Sequence, residues 1–383
     1  MYQIMNLLAL FRLIAPVTGM IGTPRCKDCL PVAIHDAPGI GIDLSFSYAT
    51  SSVRYYGGAI ADGAVVEAPQ EYTSLMLQLS TAPEDQATYS SRLQRRLNKF
   101  RGLPSTLNVG IIGSMIRRVK QETEAKLKIT LDQAHIVVTH PLLPGLSHED
   151  IGDAIEFAGL KSWLHKPNID SIQPKVLIES RATFGANGYN LCSGYTNVHI
   201  CQEENLEDMT WETVYFVSLS RTVLYTTIVG LNAPFTTPWS REHSAVHPEV
   251  GTDMMGNYSS EADYWDALQQ KLVPEERDTG YPISLVLLAG DSIEIPEARE
   301  ALMKALGDRL GPPYTARTSK LRASLVAYAP PVYAAARGAA LYARWRQEVP
   351  YGCAEGLGCE WQREADRKRI KRGINLKTMV CEL

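Results

Sequence analysis

The sequence lacks an excess of charge of either sign. Its 383 residues include 38 Lys and Arg against 42 Asp and Glu, which gives a formal net charge of −4. Because nucleic-acid-binding domains usually carry a basic excess, we predict no nucleic-acid partner. Hydrophobic residues make up 45% and charged residues 21% of the chain. This balance excludes general disorder and a polytopic membrane protein.

Cysteine is also scarce. Seven cysteines are too few for a disulfide framework and too scattered for a zinc module. Cys26 and Cys29 have the spacing of a metal or redox pair, but no second pair matches them. Cys353 and Cys359 would form a small disulfide loop in a secreted chain, and buried, inert thiols are the alternative.

A long uninterrupted apolar run is missing. The nearest approach, residues 4–22, is broken by Arg12, whereas a membrane helix needs about 20 apolar residues, so we predict no clear membrane span. If residues 1–19 are a signal peptide, the chain enters the secretory pathway or is extracellular; otherwise it is cytoplasmic. A glycosylation sequon, Asn257-Tyr258-Ser259, fits the first alternative.

Two familiar catalytic arrangements lack an essential residue. Gly290-Asp291-Ser292 resembles a serine-esterase turn, but the last histidine, His247, precedes that serine, whereas that esterase family places its histidine after it. His243 and His247 have the spacing of a zinc protease, but Ser244 stands where the catalytic glutamate is required. We therefore interpret both histidines as exposed loop residues.

Hydrophobic periodicity predicts alternating strands and helices. A helix that begins with a Ser147–Asp150 capping box is predicted to end at Gly159, and residues 230–258 are predicted to be a loop. Strand hairpins that lead into βαβ units, twice along the chain, indicate an α/β protein of two similar halves. The predicted strands are 40–44, 53–56, 63–67, 134–139, 214–217, 223–229, 283–288 and 322–327, and the main predicted helices are 91–100, 107–126, 259–273, 296–310 and 331–347.

Five motifs, in order along residues 40–343, resemble the nucleotide-binding domain of the seventy-kilodalton heat-shock proteins, within the actin-like ATPases. In the first, Gly41-Ile42-Asp43-Leu44 with Tyr48 is similar to the phosphate loop Gly-Ile-Asp-Leu-Gly-Thr-Thr-Tyr of that family. The resemblance is greatest to divergent heat-shock-like proteins of filamentous fungi. The other motifs are Val137–Pro141 with Ala158-Gly159-Leu160, Glu179-Ser180-Arg181-Ala182, Leu287–Pro296, and Ala335–Ala340.

The resemblance implies an α/β, two-lobed actin-like or heat-shock-protein ATPase fold, built from duplicated ribonuclease-H-like domains. Lobe I would comprise residues 37–200 with a return helix at 331–350, and lobe II, shortened, residues 201–330. Residues 1–36 would be an N-terminal extension or signal-like segment. Residues 351–383 would form a charged tail that packs poorly.

The resemblance also implies a site for ATP and Mg²⁺. Asp43 would hold the metal ion, and Glu179 would lie near the attacking water, so that these two residues form the catalytic pair. The residues implied to bind the nucleotide are Ser45, Ser47, Tyr48, Arg221, Thr222, Gly290, Ser292 and Gly338.

Several positions depart from the family pattern. The second phosphate loop, Asp-Leu-Gly-Gly-Gly-Thr in the family, is here Ser218–Thr222, and its Arg221 either binds phosphate directly or forms a structural salt bridge. Phe46 replaces a threonine, Glu294 replaces an arginine, and residues 230–282 are too short for a full adenine-binding lobe. The sequence therefore predicts a degenerate nucleotide-binding protein or pseudo-ATPase, a binding or regulatory module with an unidentified protein partner. An active ATPase or small-molecule kinase is the alternative.

Overall fold

A computed structural model describes ten ranges of the chain: 25–83, 89–164, 174, 176–193, 210–235, 242–274, 282–307, 324–326, 328–348 and 355–372. The signal-like run at 4–22 and Cys353 lie outside these ranges. Internal contacts divide the chain into a unit of residues Ala33–Glu348 and a terminal unit of Met1–Val32 with Val349–Leu383. The protein is of the mixed α/β class, with two mixed sheets.

The first half of the larger unit contains one sheet and its covering helices. Its elements, with a short helix at the unit boundary, are α1 (Val32–His35), β1 (Gly39–Leu44), β2 (Tyr48–Arg54), β3 (Ile60–Glu67), α2 (Gln70–Thr81), α3 (Tyr89–Phe100), α4 (Leu107–Leu127), β4 (His135–His140), α5 (His148–Phe157), β5 (Lys161–Ser162), β6 (Leu177–Ile178) and α6 (Glu179–Ala186).

The second half contains the other sheet. Its elements are β7 (Glu212–Leu219), β8 (Leu224–Leu231), β9 (His243–His247), two 3₁₀ helices (Pro248–Val250 and Thr252–Asn257), α7 (Glu261–Lys271), β10 (Leu285–Ala289), α8 (Pro296–Leu306), β11 (Ser324–Val326), a 3₁₀ turn (Pro331–Tyr333) and α9 (Ala334–Glu348).

The two sheets have the same strand order and the same strand directions. The first is ordered β3-β2-β1-β4, with β5 and β6 both pairing with the far edge of β4. The second is ordered β9-β8-β7-β10-β11. In each, three consecutive strands are antiparallel, and the first of them pairs in parallel with the fourth strand. The topology is therefore repeated, although we find no clear repeat in the sequence.

Helix α4 shows how the sequence pattern produces the packing. Ile112, Met115, Ile116 and Val119 are buried on one face, which packs against β3 and α5. The side chain of Thr106 caps its N-terminus by accepting a hydrogen bond from the Val109 amide. The predicted capping box of Ser147 and Asp150 is confirmed at the start of α5.

Helix α9 lies against β1, β2, β4 and α6. Glycines allow this approach, because a Cβ atom added to Gly41 would lie 2.2 Å from the carbonyl oxygen of Ala336. A Cβ added to Gly338 would lie 1.8 Å from the carbonyl oxygen of Ala182 in α6. Small residues in the Ala335–Ala340 motif thus bring this helix against both the sheet and α6.

Three predictions of local structure are wrong. Residues 230–258 are not simply a loop, because 243–247 form edge strand β9 and two 3₁₀ helices follow it. His243 and His247 therefore lie in a strand. The predicted pairing of Cys353 with Cys359 is excluded, because Cys359 forms a disulfide with Cys29.

The structure describes residues 355–372 of the charged tail, and most of their side chains are exposed. Gly358–Lys371 form helix α10, and the side chains of Cys359 and Arg363 are buried. The Arg363 guanidinium binds the carboxylate of Glu355 at 2.7 Å, and the same carboxylate accepts a hydrogen bond from the Leu30 amide. The two ends of the chain are thereby joined in the terminal unit.

Candidate functional site

Asp43 and Glu179 reach the same edge of the first sheet. Asp43 is the next-to-last residue of β1 and pairs with Thr139 of β4, while Glu179 directly follows β6, which pairs with β4 on its other side. Because all three strands are parallel, their carboxyl ends meet. Both acidic side chains are almost fully buried, with 3% and 2% of their surfaces exposed.

Within the part of the chain that the structure describes, no cationic side chain lowers the pKa of either acid. Among the described residues, Oδ1 of Asp43 and both carboxyl oxygens of Glu179 lack a hydrogen-bond partner. Burial raises the pKa of Asp43 to about 8, and the adjacent Glu179 carboxyl offsets a smaller part of that rise. Burial, and then the charge of Asp43, raise the pKa of Glu179. Near neutral pH Asp43 therefore keeps its proton, because its charged form is desolvated.

Tyr48 connects this pair to the second sheet. Burial, followed by the charges of Asp43, Glu179 and Asp291, raises the pKa of the buried Tyr48 hydroxyl. Asp291 follows β10, and its carboxylate accepts a hydrogen bond from the Ser292 hydroxyl at 2.9 Å. The sequence pattern led us to consider Asp291 as part of an esterase turn and of the Leu287–Pro296 motif, not as a charge near Tyr48. Its effect on Tyr48 acts between residues of the two sheets.

The loop between β1 and β2, residues 45–47, makes contacts with other side chains of the protein. The ring of Phe46 lies 5.9 Å from that of Tyr225, between their centroids, so a β1–β2 loop residue packs against β8 of the other sheet. The Ser45 carbonyl accepts a hydrogen bond from the Tyr72 hydroxyl at 3.0 Å. The buried Ser47 hydroxyl has no hydrogen-bond partner among the described residues.

The second loop places Arg221 in a bridge between the two halves. Its Nη1 lies 2.7 Å from Oε1 of Glu67 at the end of β3, and its Nε lies 3.1 Å from Oδ1 of Asp253. Arg221 is half exposed. Thr222 has a buried hydroxyl without a described hydrogen-bond partner. In this structure the Arg221 guanidinium is thus occupied by two carboxylates.

The remaining predicted nucleotide-binding residues pack against the backbone. Gly290 has a φ of +102°, and a Cβ added there would lie 2.0 Å from the carbonyl oxygen of Leu219. Ser292 is buried and its amide donates a hydrogen bond to the same carbonyl at 3.1 Å. Gly338, as described above, is used for the contact of α9 with α6. Gly290 and Ser292 therefore hold the β10 turn on the end of β7.

The residues present fit the metal and phosphate end of a Mg²⁺–ATP complex better than the adenine end. Asp43, Glu179, Ser47 and Thr222 carry buried oxygen atoms without described hydrogen-bond partners. Mg²⁺ usually binds proteins through one or two carboxylates and keeps several waters, so two acids suffice. No group of three or more potential metal ligands is found in the described ranges. At the position that the family resemblance assigns to adenine, Oε1 of Glu294 lies 3.6 Å from Nη2 of Arg299 in an exposed ion pair.

A large cleft lies elsewhere in the same unit. It encloses about 1370 Å³ between the loop after β4, strands β8 and β9, and the end of α7, and it contains none of the predicted site residues. Glu242 in its wall forms an ion pair with Arg181 at 3.0 Å, and burial raises the pKa of Glu242. The sequence did not indicate this cleft, because β9 lacks the apolar pattern of a strand. Other polar residues in the wall include His148, His243, His247 and Lys271.

Among the described helices, none has both the length and the apolar character that a membrane crossing requires. No protein-family model matches the chain, and no curated protein matches it.

Proposed function

We propose that this protein is a degenerate member of the actin-like ATPase fold that binds nucleotide as a binding or regulatory module and hydrolyses it poorly. The observation that carries this proposal is the repeated strand order, with Asp43 and Glu179 at the carboxyl ends of parallel strands in the first sheet. In α/β folds, ligands bind outside those strand ends. A duplicated sheet pair provides two such edges for one ligand.

The buried acids support a cation-dependent ligand. Without a cation, desolvation makes a second negative charge at this pair unfavourable. A divalent ion held by Asp43 and Glu179 would remove that cost and, when bound, would neutralise phosphate oxygens. Ser47 and Thr222, one from each loop, have buried hydroxyls that can donate to such oxygens.

Two features argue against efficient hydrolysis. Ser218 stands in the second sheet where an acid is required by the family pattern, and Arg221 is held by Glu67 and Asp253 rather than pointing at a ligand. Phosphoryl transfer depends on positioning and charge stabilisation, so both losses weaken it. The alternative is an active ATPase or small-molecule kinase. It is supported by Asp43 and Glu179, which match the family pattern.

The test is thermal unfolding of the full chain with Mg²⁺–ATP, ATP with a chelator, and Mg²⁺ alone. A ligand that binds only the folded state raises Tm, so we expect a rise with millimolar Mg²⁺–ATP. Asp43→Asn should remove the part of that rise that requires Mg²⁺. Glu122→Gln, which removes an exposed acid of α4, is the matched control and should keep the full response.

No change in Tm with any nucleotide would contradict binding. A magnesium response that persists in Asp43→Asn would refute the assignment of the metal-binding residue. Steady phosphate release that disappears in Glu179→Gln would favour the enzyme over the regulatory module.

A further inference from the structure

The disulfide between Cys29 and Cys359 joins segments 330 residues apart in sequence. Cys26 and Cys192 also each take part in a disulfide. Disulfides form and persist in oxidising compartments and are rare in the cytosol. The cysteines therefore indicate folding in an oxidising, secretory environment, independently of the N-terminal residues 1–24.

The chain also carries a glycosylation sequon, which can be modified only in that environment. Asn257-Tyr258-Ser259 is an acceptor sequence for N-linked glycans, and Asn257 is the last residue of the exposed 3₁₀ helix Thr252–Asn257. The side chains of Asn257 and Ser259 are both exposed. The Asn257 amide nitrogen has one weak contact, 3.7 Å from the sulfur of Met254, so the fold makes little use of it.

The backbone around this sequon is firmly held. The Tyr258 hydroxyl donates to the Glu249 carbonyl at 3.0 Å, and the Tyr258 ring packs edge-on against Tyr264 at 5.4 Å. Directly after it, the Ser260 hydroxyl caps α7 by accepting from the Asp263 amide. Tyr258 itself is extended, with φ −93° and ψ 157°. The central residue is thus anchored while the acceptor amide and the serine hydroxyl remain accessible.

We propose that Asn257 carries an N-linked glycan, added in the same oxidising secretory compartment in which Cys29 and Cys359 are joined. The donor is a lipid-linked glycosyl pyrophosphate. A bond forms between the sugar C1 and Nδ2 of Asn257, the bond from C1 to the pyrophosphate oxygen breaks, and the amide proton is lost to a base of the transferase. The disulfide forms by exchange with an oxidised dithiol, which accepts two electrons and two protons from the two thiols.

Residues three apart share a face of a 3₁₀ helix, so Asn257 and Asp253, four apart in the helix Thr252–Asn257, lie on different faces. This helix is exposed at Asn257, so a glycan can be accommodated there without a change in packing. The ion pair of Asp253 with Arg221 does not involve Asn257 and would be preserved.

The experiment expresses the full chain, with its own N-terminal residues, in a eukaryotic secreting cell. The purified protein is treated with peptide N-glycosidase in heavy-oxygen water and mapped by mass spectrometry under non-reducing conditions. We expect Asn257 to be recovered as heavy-oxygen-labelled Asp and the Cys29 and Cys359 peptides to be linked. Ser259→Ala should abolish the labelling, while Ser259→Thr, its matched control, should preserve it.

Two results would overturn the proposal. One is an unmodified Asn257 in protein whose Cys29–Cys359 bond is formed, which would show that the sequon is not used. The other is protein in which Cys29 and Cys359 are free thiols when trapped by alkylation inside the cell. Neither result depends on nucleotide binding, so the proposed function and this inference can fail separately.

Discussion

Asp43 and Ser218 occupy corresponding positions in the two sheets. Each is the next-to-last residue of the first strand, and each pairs with a residue of the parallel fourth strand, Thr139 and Ala289 respectively. The first position carries a buried acid and the second a buried hydroxyl. The duplicated topology is therefore chemically asymmetric at its centre.

Restoring the acid tests the meaning of this asymmetry. We expect Ser218→Asp to lower the free energy of unfolding by roughly 1–3 kcal/mol in the absence of Mg²⁺, because an additional buried acid lacks a partner. Mg²⁺–ATP should then raise Tm more than in the wild type. Ser218→Asn, which has a similar shape and no charge, is the control, and an equal Mg²⁺–ATP response in both variants would contradict the prediction.

Removing the acid at Asp43 should make the stability of the protein less sensitive to a rise in pH between about 4 and 8. The folded chain binds the Asp43 proton more tightly than the unfolded chain, since burial raises the pKa from 3.8 to about 8. The free energy of unfolding therefore falls as pH rises across this window.

Asp43→Asn removes the titrating carboxyl, so its free energy of unfolding does not show the fall caused by ionisation of Asp43. Its Tm should exceed that of the wild type at pH 8 by several degrees, and the difference should vanish near pH 4. Glu122→Gln should show no such pH dependence. A constant difference between wild type and Asp43→Asn across the whole range would mean that the buried acid is not the cause.

The contact of α9 with α6 should be highly sensitive to residue size. Gly338→Ala introduces a Cβ atom 1.8 Å from the Ala182 carbonyl oxygen, and the backbone must shift to accept it. We expect a loss of about 3 kcal/mol or more in the free energy of unfolding, the upper range for overpacking. Gly57→Ala has open space around the new atom, so denaturant unfolding should show a change within about 0.5 kcal/mol.

Arg221 distinguishes a structural ion pair from a phosphate ligand. Exposed ion pairs contribute about 0–1 kcal/mol each, so Arg221→Ala should change Tm little. The Kd for Mg²⁺–ATP, measured by calorimetry, should be unchanged within a factor of two or three if Glu67 and Asp253 keep the guanidinium. A loss of roughly tenfold or more, as expected for a charged hydrogen bond, would show that Arg221 binds phosphate.

Local signals made much of the first sheet predictable. Asp43 ends a short apolar strand, and the buried residues of α4 repeat at three- and four-residue intervals, so both elements are confirmed within one or two residues. Both halves of the Ser147–Asp150 capping box are also confirmed. In each case neighbouring residues carry the information.

Features that depend on distant residues were not predictable. The pairing of Cys29 with Cys359 spans almost the whole chain, and no local spacing indicates it. Strand β9 is an edge strand with partly exposed histidines, so it lacks an apolar run. The charge of Asp291 acts on Tyr48 although the two residues belong to different sheets and are far apart in sequence.

The central claim is a nucleotide site at the carboxyl ends of β1 and β7. It is tested most directly by a crystal structure of the full chain with Mg²⁺ and a non-hydrolysable ATP analogue. We predict a metal ion coordinated by the Asp43 carboxylate, with phosphates between the Ser47 and Thr222 hydroxyls. Analogue bound only in the cleft beside His243, or no bound analogue at millimolar concentration, would contradict the claim.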